Sequence, residues 1–100
     1  MNYKSIDIEG GKEIIFSGSF TFRDHDTFFE IISVIKNTDI ERLVFNLKEC
    51  DFIDSAALGM FSIAYGEALK TETDLTIRGA RDQVKELFDH THFYRFYDFE

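Results

Sequence analysis

The run Leu43-Val44-Phe45-Asn46-Leu47 is apolar on both faces except at Asn46. A strand turns successive side chains to opposite sides, so such a run needs cover on both, as a central strand of a parallel sheet has. Helical patterns flank it. On the amino-terminal side, Phe28, Ile31, Ile32 and Ile35 fall at i, i+3, i+4 and i+7, with Asp24 or Asp26 placed to cap and Asn37 and Asp39 to end the helix. On the carboxyl-terminal side, after a loop from Lys48 to Ile53, Asp54 opens a second helical pattern. Its apolar face holds Leu58, Phe61, Tyr65 and Leu69, with Ala57, Ala64 and Ala68 beside it.

The rest of the chain alternates in the same way. Tyr3 to Ile8 and Glu13 to Phe20 read as antiparallel strands, and Gly10-Gly11 between them is a hairpin signal because glycine takes positive φ without steric cost. Asp74 opens another strand, in which Leu75 and Ile77 alternate with Thr76 and Arg78 until Gly79. Val84, Leu87, Phe88 and Thr91 keep helical spacing within 80–91, and the aromatic stretch from Phe93 to Phe99 is expected to close the core as an edge strand. The order is β-β-α-β-α-β-α-β. It implies an α/β fold with a mixed, largely parallel central sheet, helices packed on it and right-handed crossovers. With 100 residues and no linker or internal repeat, residues 1–100 read as a single domain.

Several function classes fall away. A formal net charge of −8 repels a polyanion, so direct nucleic-acid binding is not expected. No apolar run approaches the roughly 18 residues needed to span a bilayer, and Met1 to Asp7 lacks the basic-then-apolar order of a secretory signal. The single Cys50 cannot form an internal disulfide and reads as a small buried hydrophobe, which places the chain in the reducing cytoplasm. Gly10-Gly11-Lys12 is not a phosphate loop, since Ile6 and Glu13 stand where that motif needs Gly and Ser or Thr. His90 and His92, with Asp89, are spaced to point apart near a helix end and read as surface residues, not metal ligands. No residue is assigned a catalytic role, no metal site is expected, and no cofactor is called for. Ser55 lacks the orienting base that a nucleophilic enzyme requires, so the chain is not read as an enzyme.

Ser55 is nevertheless the residue best placed for chemistry. It stands where a loop becomes a helix, and free amide donors plus the helix dipole make such a place tolerant of negative charge. A phosphate there would add roughly −1.5 to −2 charges beside the carboxylate of Asp54. The plainer reading makes Asp54 or Ser55 an N-cap, worth about 1 kcal/mol.

The segment Asp54-Ser55-Ala56-Ala57-Leu58-Gly59 resembles the signature of the STAS domain family (sulfate transporter and anti-sigma factor antagonist). There a central strand ends in an apolar-Asp-Ser turn that opens a helix, and the usual pattern is Asp-Ser-Ser/Thr-Gly-Leu-Gly. The Leu43 to Leu47 run, Leu75-Thr76-Ile77-Arg78-Gly79 and Val84-Lys85-Glu86-Leu87-Phe88 stand where the family has its matching elements, so the similarity covers essentially the whole chain. It implies a bacterial, cytoplasmic, free-standing anti-sigma factor antagonist working by partner switching. In such proteins a kinase that also sequesters a sigma factor, of the histidine-kinase-like ATPase type, phosphorylates the Ser after the Asp, and a metal-dependent phosphatase reverses it. By position, Ser55 matches the phosphoacceptor and Asp54 the acidic residue; Ile53, Ala56, Leu58 and Gly59 are the neighbouring candidates for partner contact. Ala56 replaces the second hydroxyl and Ala57 replaces a glycine. The alternative is a constitutive scaffold or a subunit of a signalling or transport complex without phospho-switching, in which Ser55 only caps its helix.

Overall fold

The computed structural model describes residues 1–37 and 39–100, and the side chains of all of these except Val34 and Ile35; the expected inward position of Ile35 lies outside that description. Five strands, β1 (Asn2–Ile8), β2 (Gly11–Phe20), β3 (Arg42–Ile53), β4 (Asp74–Arg78) and β5 (Asp98–Phe99), form one sheet in sequence order. β1 and β2 are antiparallel and every other pairing is parallel. The helices are α1 (His25–Asn37), α2 (Ser55–Thr71) and α3 (Asp82–His90), with short 3-10 turns at Phe22–Asp24 and Phe93–Arg95. The mixed α/β order expected from periodicity is the one observed. Among the described residues no helix is long and apolar enough to cross a membrane.

Alternation along the strands decides where the core lies. Ile14, Phe16 and Phe20 of β2 and Leu43, Phe45 and Leu47 of β3 are fully buried beneath the helices, in one cluster with Phe28 of α1, Phe61 of α2 and Phe88 of α3. Phe61 presents its ring edge-on to Phe20, Phe28, Phe45 and Phe88 at centroid separations of 5.4–5.5 Å. That geometry sets the positive edge of one ring against the negative face of another and adds about 0.5–1.5 kcal/mol per pair beyond burial. On the other face of the sheet Val44 and Thr76 are also buried. They share that face with a polar lattice in which Glu13 accepts from Asn46 (2.9 Å) and Arg78 (3.1 Å), and Glu100 binds Arg78 and Arg42.

Four local expectations need correction. The hairpin turn is Glu9-Gly10, not Gly10-Gly11. Only Gly10 takes positive φ (78°), whereas Gly11 already pairs with Ile8, and a Cβ on it would sit 1.7 Å from the Arg42 carbonyl oxygen. Lys48 to Ile53 is strand, not loop. β3 carries two extra residues relative to β2, at the shifts between Ile15/Ser17 and Gly18/Ser19, so its buried side chains Leu47, Cys50 and Ile53 fall every third residue instead of alternating. The Asn46 side-chain oxygen accepts the Lys48 N–H at 3.0 Å across the first of these bulges. Leu69 faces solvent at 61% exposure: the buried line of α2 runs through Ala57, Phe61, Ala64 and Ala68, and Leu69 lies off it. Asp24 lies within the 3-10 turn that leads into α1, and its carboxylate accepts the Thr21 N–H at 2.9 Å.

The aromatic tail closes the core mainly through a turn instead of a strand. Phe93 and Tyr97 are buried, Tyr94 and Phe96 are exposed, and only Asp98–Phe99 pairs with β4. The Tyr97 hydroxyl donates to the Phe61 carbonyl at 2.6 Å, and burial pushes its pKa well above the usual tyrosine value. Tyr97→Ala should therefore cost about 3–5 kcal/mol in urea denaturation, against under about 0.5 kcal/mol for Tyr94→Ala. A raised tyrosine pKa contributes stability that is complete below the ordinary value of about 10 and is lost as pH climbs past it towards the folded value. Wild type should accordingly lose stability in that alkaline range, and Tyr97→Phe should lack this component.

Candidate functional site

β3 ends at Ile53, whose side chain is fully buried, and the chain turns at Asp54 into α2. Asp54 is extended (φ −102°, ψ 179°), the backbone shape of an N-cap. Its two carboxylate oxygens go to different elements. Oδ1 accepts the Ala57 N–H at 2.8 Å, closing the first turn of α2, and Oδ2 accepts the Phe22 N–H at 3.1 Å, tying in the 3-10 turn before α1. The Asp54 N–H itself donates to the Phe20 carbonyl at 3.4 Å. Side chain and backbone of Asp54 together thus tie the start of α2 to the stretch from Phe20 to Phe22, more than 30 residues earlier.

Ser55 is the first residue of α2 and is exposed. Among the described residues nothing hydrogen-bonds its hydroxyl, so the oxygen is free to meet another molecule. The cap at this helix is Asp54, the first of the two N-cap candidates, and Ser55 is not the cap. As the first two residues of a helix, Ser55 and Ala56 have N–H groups without intrahelical acceptors. Of the other candidates, Gly59 is exposed one turn further along, Asp54 and Ala56 are half-buried, and Leu58 is buried at 8% exposure. The accessible surface of the site is therefore Asp54, Ser55, Ala56 and Gly59, with Ile53 and Leu58 supporting it from beneath.

Residues that gave no signal in sequence complete the surroundings. Phe22, 64% exposed, stacks on His25 at 5.0 Å, and His25 meets the exposed Phe29 edge-on at 6.3 Å. Phe52 is exposed just before the turn. Gln83 of α3 bonds both backbone groups of Ile53: its Oε1 accepts the N–H at 3.1 Å and its Nε2 donates to the carbonyl at 2.9 Å. Cys50 is buried, its thiol pKa pushed up chiefly by burial, and its Sγ lies 3.6 Å from the Phe52 carbonyl, the environment of a packed residue and not of a thiolate nucleophile.

A β-turn-α unit ending a central parallel strand in Asp-Ser, with the Asp capping the helix and the Ser outside, is now in place. A model of the STAS domain matches residues 6–100. This chain belongs to the STAS domain family. No curated protein matches it by sequence at a significant level. Among solved structures, the STAS fold of this chain is similar to the anti-sigma factor antagonist SpoIIAA in its unphosphorylated form, with TM-score 0.85 at 12% identity, over 99% of this chain and 88% of that one. It is similar to an anti-sigma factor antagonist from Mycobacterium paratuberculosis, with TM-score 0.85 at 17% identity, over 98% and 83% of the two chains. A sulfate transporter family protein from Wolinella succinogenes matches at TM-score 0.71 and 18% identity, over 83% of this chain and 67% of that one. At such identities the likeness is one of fold.

The double role of Asp54 sets an order among variants. Asp54→Ala removes both acceptors and should lower stability by about 1–2 kcal/mol in urea denaturation; Asp54→Asn, which keeps one acceptor for Ala57, should lose less. A second carboxylate nearby titrates with a definite sign. Burial raises the pKa of Asp24, but hydrogen bonds from the Met1 ammonium (2.8 Å) and the Thr21 amide, with the charges of Met1 and Arg23, outweigh it and hold the carboxyl below its usual value. A lowered folded-state pKa contributes stability that is present above the unfolded value of about 3.9 and is lost as pH falls through the folded value. Asp24→Asn should accordingly flatten the acid limb of a stability-versus-pH profile.

Proposed function

We propose that residues 1–100 act as a single STAS domain whose task is to antagonise an anti-sigma factor in the bacterial cytoplasm, switched by phosphorylation of Ser55. With Ser55 unmodified, the rim formed by Asp54, Ser55, Ala56 and Gly59 binds a partner that is both serine kinase and anti-sigma factor. Phosphorylation releases that partner, and a phosphatase restores binding. The observation that carries this reading is the Ser55 hydroxyl, exposed at the first position of α2 with no hydrogen bond among the described residues. In the transfer, Ser55 Oγ attacks the γ-phosphorus of ATP held by the partner, the bond to ADP breaks, and the hydroxyl proton passes to a base on the kinase. This chain supplies an acceptor and a surface, and needs no nucleotide pocket, metal or turnover of its own. The family membership and the fold shared with two anti-sigma factor antagonists support the assignment.

The electrostatics give the switch its direction. Because Oδ1 and Oδ2 of Asp54 are already committed to Ala57 and Phe22, a dianion on Ser55 is added beside an existing carboxylate and does not replace it. A partner covering this rim would have to desolvate both charges. A tenfold change in affinity requires only about 1.4 kcal/mol. Affinity capture from host lysate with Ser55→Ala and Ser55→Asp side by side should recover one kinase-type partner with the alanine form, bound at least about tenfold more tightly than with the aspartate form. The intact mass of the chain purified from its host should fall by one phosphoryl group on phosphatase treatment. Equal affinities and an unchanged mass would instead favour a permanent scaffold or transport-complex subunit, the reading to which the Wolinella succinogenes similarity lends some support.

A further inference from the structure

β4 accompanies β3 only as far as the pair Asn46↔Arg78, so among the described residues the last stretch of β3 has no strand beyond it on that side. On its other side Ile53 still pairs with Phe20 of β2. An unpaired backbone N–H and C=O at a buried residue would be costly. Here both are satisfied by one side chain: the Gln83 amide has the same donor and acceptor as a peptide group, and it uses both on Ile53, 30 residues away, at 2.9 and 3.1 Å. Gln83 sits in the first turn of α3 and is half-buried, and the neighbouring Arg81 adds a bond from its Nε to the Lys48 carbonyl at 2.7 Å. Next along the chain are Asp54, with its paired acceptors, and Ser55.

We propose that Gln83 is a positioning residue for the Ser55 switch, a surrogate strand partner through which α3 fixes the end of β3 and hence the start of α2. This inference rests on the reading of Ser55 as the modified residue. It assigns Gln83 no contact with a partner or with phosphate. Its effect runs through Ile53 to the Asp54 carboxylate, and from there to the orientation of the serine hydroxyl.

Two variants of the full chain test it by amide hydrogen exchange in NMR. Gln83→Leu keeps the volume and removes both bonds. Protection at Ile53 and Ala57 should fall at least about tenfold, while Phe45 and Phe61 in the core stay within about twofold of wild type. Gln83→Glu keeps an acceptor for the Ile53 N–H but turns a lone pair, in place of a donor, towards the carbonyl. Below the ordinary glutamate value of about 4.3 the protonated acid donates again, so protection at Ile53 and Ala57 should return on acidification in this variant alone. A side chain that merely fills space would show no such recovery. The phosphorylated fraction of Gln83→Leu purified from the host, read by intact mass, should also drop below that of wild type. Unchanged exchange at Ala57, or a loss spread evenly over Phe45 and Phe61, overturns the proposal. A clamp that behaves as expected in a chain never found phosphorylated would leave the positioning role in place and remove the switch reading instead.

Discussion

The fold turns on Phe61. It sits in the second turn of α2, and its ring is the meeting point of β2, β3, α1, α3 and the aromatic tail through Phe20, Phe45, Phe28, Phe88 and Tyr97. Phe16, Phe20, Phe28 and Phe45 pack among themselves at 5.1–6.2 Å, so the core is largely a nest of rings with Phe61 set edge-on into it. Close-packed interiors give little when one member is moved. The helix that begins with Ser55 is therefore anchored at its second turn to every layer of the molecule. Its amino-terminal end can present a hydroxyl in a fixed place without being itself buried.

Where the hydrophobic anchoring stops, polar geometry takes over. Asp54 divides its carboxylate between α2 and the turn before α1, and Gln83 doubles the backbone pairing of Ile53 from α3. The Asp54 bonds are charge-assisted and stronger than neutral ones, while Gln83 contributes two neutral bonds at one residue. A single exposed serine is thereby held by contacts from opposite ends of the chain, which gives the family's Asp-Ser pair a structural reason beyond sequence pattern. The acidic residue shapes the turn on which the serine stands.

Much of this architecture could be read from periodicity. Leu43 to Leu47 identified the central strand, and Phe28 with Ile31 and Ile32 identified the helix beside it. The reading failed where a local feature changed the phase of the pattern. Bulges in β3 place Leu47, Cys50 and Ile53 three apart, a spacing that alternation rules do not recognise as strand. Alanines at 57, 64 and 68 lie on the inward line of α2 and Leu69 lies outside it, so the size of an apolar side chain did not mark which face is buried. The tail satisfies its core contacts from a 3-10 turn at Phe93–Arg95, which has no distinctive period. At the site, Asp54 was legible as a cap. Ser55 stood out from the residues only as a hydroxyl at a helix start, and the family resemblance supplied its role. Gln83 and Phe22 carry no signal, since an amide 30 residues from its target and an exposed ring resemble many others until the chain is folded.

Gly11 gives the chain an unequal freedom to drift. Its neighbour Gly10 needs a left-handed backbone, yet a Cβ there meets only the tip of the Glu41 side chain at 3.5 Å. Gly11 has no unusual φ, but the carbonyl of Arg42 occupies the space any other residue would claim. In a diverging lineage the tip of the first hairpin can be rewritten with modest strain. The position behind it is locked by the adjacent parallel strand, and any replacement would first have to pry β2 away from β3.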